Sequence, residues 1–188
     1  MKGLSWVSLA VTSFLAGGAQ KILAVEQVCL KRSGVTQCRE GVIPHLHASG
    51  IINIEKTQIK GLCSIKGQFI INNAHLQTLQ AYGQGEILKT TITGKSKIYG
   101  KTIMVDSTLD AGCEVWSSHL SLHNSQVGSI KMHGGSLKEG LIIIGPGSTV
   151  VGDIVFAEKA GVVEVGEGAH IGGQVKNGKV IASQKGGE

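Results

Sequence analysis

Two pairs of histidines occur at spacings that matter for strand chemistry. His45 and His47 are separated by one residue, and His119 and His123 by three. Because successive side chains of a β-strand alternate between its faces, the two imidazoles of each pair lie on one face. Such groups on a rigid wall can bind Zn²⁺ or Cu²⁺. No carboxylate or cysteine joins them at a recognisable ligand spacing, so the sequence predicts no metal and no cofactor.

Carboxylates are the second candidate group, since polysaccharide-cleaving enzymes need two of them in one groove. Asp106 and Asp110 lie close together in the sequence, and Glu114 follows them. Aromatic residues for sugar stacking make up only 4% of the chain. We therefore predict a protein without catalytic activity. Its candidate binding surface consists of His119, His123, Asp106 and Asp110.

The cysteines form an even set of four, which in an oxidising compartment indicates disulfides. Cys29 and Cys38 enclose a polar loop with Gly34 near its centre, and we predict that these two cysteines pair. Such a bridge stabilises a small N-terminal cap by about 2–3 kcal/mol. A tetracysteine zinc site fits poorly, because the chain has no C-x-x-C pair.

The first residues have the pattern of a secretory signal peptide. An apolar stretch over 4–16 follows Lys2, and Gly17 and Ala19 occupy the small-residue positions of a cleavage site. We predict a signal peptide over 1–19, with a cut after Ala24 as the alternative. An uncleaved anchor is disfavoured, because Lys21 ends the apolar run too early for a span of about 20 residues. The protein is thus expected to be periplasmic, on the cell surface or secreted, without a transmembrane anchor after cleavage.

A repeat of about 17 residues organises the remaining chain. Three columns of similar residues recur over five consecutive units. The aliphatic anchors are Ile59, Leu76, Ile92, Leu109 and Val127. Small residues stand two positions earlier, at Thr57, Ala74, Thr90, Ser107 and Ser125. Aliphatic residues stand five positions earlier, at Ile54, Ile71, Ile87, Met104 and Leu122. Agreement of three columns predicts the stacked rungs of a β-solenoid.

The columns also predict how each rung is oriented. The anchors and the residues five positions earlier face a shared interior, because stacked rungs about 4.8 Å apart can bury what one rung cannot. Glycines after the anchors, such as Gly61, Gly94 and Gly112, supply a positive φ or a close backbone approach at corners. A polar column three positions before the anchors should face solvent; it comprises Lys56, Asn73, Lys89, Asp106 and Asn124.

We therefore predict an all-β chain: a single-stranded parallel β-helix (a β-solenoid of either hand) over 49–176. A cap segment over 25–48 precedes it and a disordered tail over 177–188 follows it. Cys63 and Cys113 occupy equivalent places three rungs apart, or about 14 Å by the strand spacing. Disulfide geometry requires Cα atoms within about 7 Å. These cysteines are predicted to be buried free thiols, with an intermolecular bridge as the alternative.

The net charge of +5 is spread along the chain, apart from the pair Lys31-Arg32. A scattered positive charge favours mild attraction to anionic surfaces and gives no support for nucleic-acid binding.

Residues 150–175 resemble a motif of bactofilins, the polymer-forming β-helical proteins of bacteria. The matching residues are Val150, Gly152, Asp153, Ile154, Val163, Val165, Gly168, Ala169, Ile171, Gly172 and Val175. The resemblance implies a β-helix whose copies stack end to end. Typical bactofilins lack a signal peptide, so their cytoplasmic role does not carry over to this chain.

Together these features predict a non-catalytic structural or assembly protein of the cell envelope, a homo-oligomer that associates through its solenoid ends. The first alternative is an adhesin-like or polysaccharide-binding module that uses a flat side wall. The second alternative is a polysaccharide-active enzyme.

Overall fold

The computed structural model describes residues 28–134 and 139–183. Every regular element in these two ranges is a β-strand. The strands are β1 (Cys29–Arg32), β2 (Val35–Cys38), β3 (Gly41–Ile43), β4 (Leu46–Glu55), β5 (Thr57–Asn72), β6 (His75–Leu88), β7 (Thr91–Ile92), β8 (Ser96–Tyr99), β9 (Thr102–Val105), β10 (Thr108–Leu109), β11 (Cys113–Trp116), β12 (His119–His123), β13 (Gln126–Val127), β14 (Ile130–His133), β15 (Gly140–Ile144), β16 (Thr149–Val150), β17 (Ile154–Phe156), β18 (Gly161–Val165), β19 (His170–Ile171), β20 (Val175–Lys176) and β21 (Gly178–Ala182).

The strands stack into three parallel walls; each complete rung contributes one segment to every wall, and β2 precedes the first complete rung on wall C. Wall A consists of β3, residues 57–59 and 75–76, β7, β10, β13, β16 and β19. Wall B consists of residues 46–49, 62–66 and 78–82, then β8, β11, β14, β17 and β20. Wall C consists of β2, residues 51–55, 68–72 and 84–88, then β9, β12, β15, β18 and β21. About eight rungs result, which confirms the predicted parallel β-solenoid.

The three predicted columns lie in the interior, as expected. Among the anchors of wall A, Leu76 is the most exposed at only 2%. The aliphatic residues five positions earlier lie on wall C and are equally buried, as Ile71 and Met104 illustrate. Inward and outward side chains alternate along every wall, so each rung contributes its apolar residues to one continuous core.

The corner between walls C and A explains the polar column and the small column together. Residues of the polar column adopt positive φ angles between 46° and 52°, for example Asn73 and Asp106, and their side chains are exposed. The next residue is the small one, and in four of the five rungs its hydroxyl completes the turn by donating to the carbonyl two residues earlier; Ala74 is the exception. The Ser107 hydroxyl donates to the Val105 carbonyl at 2.7 Å and accepts the Thr90 N–H at 3.1 Å. This pattern leaves the corner's buried polar groups paired.

A second corner, between walls B and C, is built from glycine. Gly50, Gly67, Gly83 and Gly100 all have φ between 100° and 137°. A Cβ atom on Gly67, Gly83 or Gly100 would overlap the carbonyl oxygen of the glycine in the preceding rung. At the A–B corner, by contrast, Gly112 has a positive φ whereas Gly94 is required by close approach to the Gln77 carbonyl.

The N-terminal end differs from the predicted cap. β1 pairs antiparallel with β2, and the disulfide between Cys29 and Cys38 joins their ends, with the Cα atoms 4.0 Å apart. This confirms the predicted pairing. However, β2 and β3 already stack in parallel on β4 and β5. The solenoid therefore begins within the segment assigned to a cap over 25–48, because its short apolar alternation lay outside the five recognised units.

The C-terminal end also departs from the prediction. β21 pairs with β18 over residues that had been assigned to a disordered tail over 177–188, so the stack continues to Ala182. Polar residues on both sides of this strand obscure its alternation of inward and outward side chains in the sequence. The preceding rungs repeat at 21 residues: Val150 lies beside Ile171, and Ile154 beside Val175.

Cys63 and Cys113 lie in the same inward column of wall B and are free, as predicted. Burial raises the pKa of each thiol to about 12. The predicted signal peptide lies outside the described residues. Within the described ranges, no helix has the length and apolarity needed to span a bilayer.

Candidate interaction surfaces

The four predicted surface residues lie on two different walls and do not form one cluster. His119 and His123 face outward from β12 on wall C, where the His123 ring lies 3.1 Å from the Ser121 hydroxyl. Asp106 occupies the C–A corner and accepts a hydrogen bond of 2.5 Å from the Asn124 amide. Asp110 lies at the other end of wall A, beyond β10. Asp106 and Asp110 therefore flank the short strand β10 at its two ends.

The environment of His119 disfavours its charged form. Partial burial lowers the pKa of His119, and the Lys101 ammonium lowers it further, while Glu164 acts in the opposite direction. Lys101 and His119 occupy neighbouring rungs of the same outward column. The imidazole therefore lies on a part of wall C that carries both positive and negative side chains. Across residues 28–134 and 139–183, no group of three metal-ligating side chains converges.

The first histidine pair supports the backbone. The His45 ring lies over Gly61, where a Cβ atom would collide with it, and its Nδ1 accepts the Leu62 N–H at 3.2 Å. The His47 carbonyl accepts a hydrogen bond from the Lys31 ammonium at 2.9 Å. His45 therefore stabilises the A–B corner of the second rung.

An aromatic ladder on the outside of wall B was not recognised in the sequence. It consists of Tyr82, Tyr99, Trp116 and His133, whose ring centroids are 4.4 Å apart at each step and whose planes are within 9° of parallel. The constant spacing of 17 residues was the available signal. Because the inner rings cover one another's faces, the ladder presents ring edges to solvent. This geometry suits stabilisation of the stack and leaves little ring face for a sugar along the wall.

Two carboxylates approach the last ring of the ladder. The Glu114 carboxylate lies 4.0 Å from Nε2 of His133, and the Glu158 carboxylate lies 3.6 Å from its Nδ1. These contacts connect His133 to the rung before it and to the rung after it.

The two ends of the solenoid differ in how they cover the interior. At the N-terminal end, the inward residues Thr36 and Cys38 of β2 are 3% and 0% exposed, because β1 and the disulfide lie over this part of the rung. At the C-terminal end, the inward residue Val180 of β21 is 53% exposed. Val163, one rung below Val180 in the same column, is 0% exposed. The described C-terminal rung therefore leaves its interior open.

The strand edges show the same asymmetry. β19, β20 and β21 each pair with one earlier strand, and no described strand pairs with their outer edges. An unpaired edge beside exposed apolar side chains is a template for another strand. Ile181, on the outer face of the same strand, adds a further exposed apolar side chain at 40%.

Comparison with known proteins gives no family assignment. None of the family models, curated proteins or solved structures compared with the chain matches it. The resemblance of residues 150–175 to bactofilins therefore stays a prediction.

Proposed function

We propose that the protein is an exported, non-catalytic structural protein of the cell envelope that self-associates through its C-terminal rung. The observation that carries this proposal is the exposure of the inward side chain of Val180, since Val163, the equivalent residue of the preceding rung, is fully buried. Burying an aliphatic side chain of this size stabilises an interface by about 1.5–3 kcal/mol. A second copy supplies the missing rung with the same chemistry as the first.

The asymmetry of the ends favours a closed pair over an open filament. Head-to-tail stacking would bring β21 of one copy onto β2 of the next, but β1 already occupies that edge. A two-fold axis at the C-terminal end instead places β21 antiparallel to its own copy. Such an isologous contact closes after two subunits. This arrangement keeps the end-to-end association implied by the bactofilin resemblance but limits its extent.

Export is supported by two features of different kinds. The sequence predicts a signal peptide over 1–19, and the Cys29–Cys38 disulfide is typical of oxidising compartments. A polysaccharide-binding role for a side wall receives less support, because the stacked rings of wall B expose mainly their edges.

Sedimentation equilibrium of the purified protein tests the proposal. We expect a monomer–dimer equilibrium, and we expect Val180→Glu to weaken dimerisation about a hundredfold, since both copies lose the contact. Ile70→Glu is the matched control: Ile70 is also exposed, at 46%, but faces outward in the middle of wall C. A wild-type protein that remains monomeric at all concentrations would overturn the proposal, as would undiminished dimerisation of Val180→Glu.

A further inference from the structure

A basic cleft lies at the N-terminal end, between the β1–β2 hairpin and the first strands of wall B. The cleft has a volume of about 520 Å³. Its cationic lining comprises Lys31, Arg32 and Lys66, the His47 side chain lies beside them, and three serines add hydroxyl groups: Ser33, Ser49 and Ser64. None of the residues that line it is acidic.

The cations of the cleft are not neutralised by the protein around them. Within residues 28–134 and 139–183, neither Arg32 nor Lys66 forms an ion pair or a side-chain hydrogen bond. Lys31 donates to the His47 carbonyl at 2.9 Å, which holds its ammonium against wall B. Like charges that line one concavity focus a positive potential there. The cleft therefore favours an anion that occupies the space between them.

The hairpin makes this arrangement rigid. Its tip, at Ser33 and Gly34, has positive φ at both residues, and the Gly34 carbonyl accepts the Ile51 N–H at 2.9 Å. The disulfide joins the opposite end of the hairpin to the first rung. Arg32 therefore lies next to a turn that is held by a hydrogen bond and a disulfide, and Lys66 lies on a strand of wall B.

We propose that this cleft binds a phosphate group. A guanidinium offers paired donors that match phosphate oxygens, ammonium groups add charge, and serine hydroxyls supply short neutral donors. A phosphate monoester carries about −1.5 to −2 charges near neutral pH, which suits a site with three fixed cations. The group is carried either by a soluble phosphorylated compound or by a lipid headgroup.

Calorimetric titration of the purified protein with inorganic phosphate at low ionic strength tests the site. We expect saturable binding at one site, weakened about tenfold or more in Arg32→Gln and in Lys66→Gln, because each removes a charge-assisted hydrogen bond. Lys97→Gln and Lys131→Gln remove the same charge from wall B outside the cleft and should leave the affinity within about twofold. Unchanged thermal unfolding of all four variants verifies their folding.

The outcomes separate a built site from general attraction to a basic protein. Equal weakening by cleft and control substitutions, or no saturable phosphate binding by the wild type, would overturn the proposal. Parallel titrations with glucose 6-phosphate and with phosphatidylcholine vesicles that contain phosphatidic acid identify the carrier. Binding in either arm that is lost in Arg32→Gln supports the site, and binding that survives this substitution counts against it. Dimerisation is measured separately, so failure here leaves the C-terminal proposal standing.

Discussion

Val163 and Val180 occupy one inward column in consecutive rungs, yet Val163 is fully buried and Val180 is 53% exposed. The difference is positional, because the two side chains are identical and, among the described residues, no further rung covers Val180. A solenoid gains its stability from neighbouring rungs, so its last rung lacks half of its contacts. The N-terminal end meets the same requirement with an antiparallel hairpin and a disulfide.

The glycine corner between walls B and C predicts a large and specific substitution effect. We expect Gly83→Ala to lower the free energy of unfolding by roughly 3 kcal/mol or more, because the new Cβ overlaps the Gly67 carbonyl in addition to the strain of the positive φ. Gly168→Ala is the control: Gly168 has a φ of 73°, but nothing lies within 4 Å of its Cβ position. Its cost should be about 1 kcal/mol. Denaturant unfolding measures both, and equal losses would contradict the role of close approach.

The hydroxyl column at the C–A corner predicts that the loss of one oxygen atom is costly. Ser107→Ala removes the acceptor for the Thr90 N–H and a donor to the Val105 carbonyl in a buried position. We expect a loss of about 1–3 kcal/mol in the free energy of unfolding. Ser107→Thr keeps the hydroxyl, and threonine already occupies this column at Thr90. Its stability should therefore stay closer to that of the wild type; a threonine variant as unstable as the alanine variant would refute the explanation.

The buried thiols predict a loss of stability at alkaline pH. Burial raises the pKa of Cys63 and Cys113 from 9.0 to about 12 in the folded protein. The unfolded chain therefore releases these protons first, and stability falls as the pH rises from about 9 towards 12. We expect the double variant Cys63→Ala, Cys113→Ala to show a smaller decrease over this interval than the wild type. The slope of unfolding free energy against pH measures the effect, and identical slopes would exclude the thiols as its cause.

Much of the rung could be predicted, because each repeated column has a distinct physical requirement. Aliphatic anchors such as Ile92 must be buried, so an aliphatic residue recurs at that position. The polar residue before each small residue adopts a positive φ at the corner, so a polar column also recurs in the sequence. The aromatic ladder had an equally regular spacing but was overlooked, since its residue types differ between Trp116 and His133. The first and last rungs were missed because a terminal strand such as β21 has an exposed interior face and lacks the apolar contrast of a central strand.

The sequence before β15 lacks the repeated columns, and the packing around Phe156 accounts for this. Gly140, Gly161 and Gly178 form one column; a Cβ atom on Gly161 or Gly178 would collide with the Phe156 ring, and one on Gly140 would collide with the Met132 sulfur. Two large side chains therefore fill the interior space beside three glycines. A large side chain on wall B that fills the space beside glycines on wall C leaves no periodic pattern in the sequence.

Site-specific cross-linking tests the C-terminal association most directly. Ile181→Cys places a thiol on the outer face of the exposed C-terminal strand, and Val35→Cys places one on β2 of the same wall, at a position that is 36% exposed. With a short bismaleimide, we predict covalent dimers of Ile181→Cys and none of Val35→Cys, and the buried Cys63 and Cys113 do not compete for the reagent. Covalent products only when the two variants are mixed would instead indicate head-to-tail stacking. That result, or the absence of Ile181→Cys dimers, would contradict the association of two C-terminal rungs.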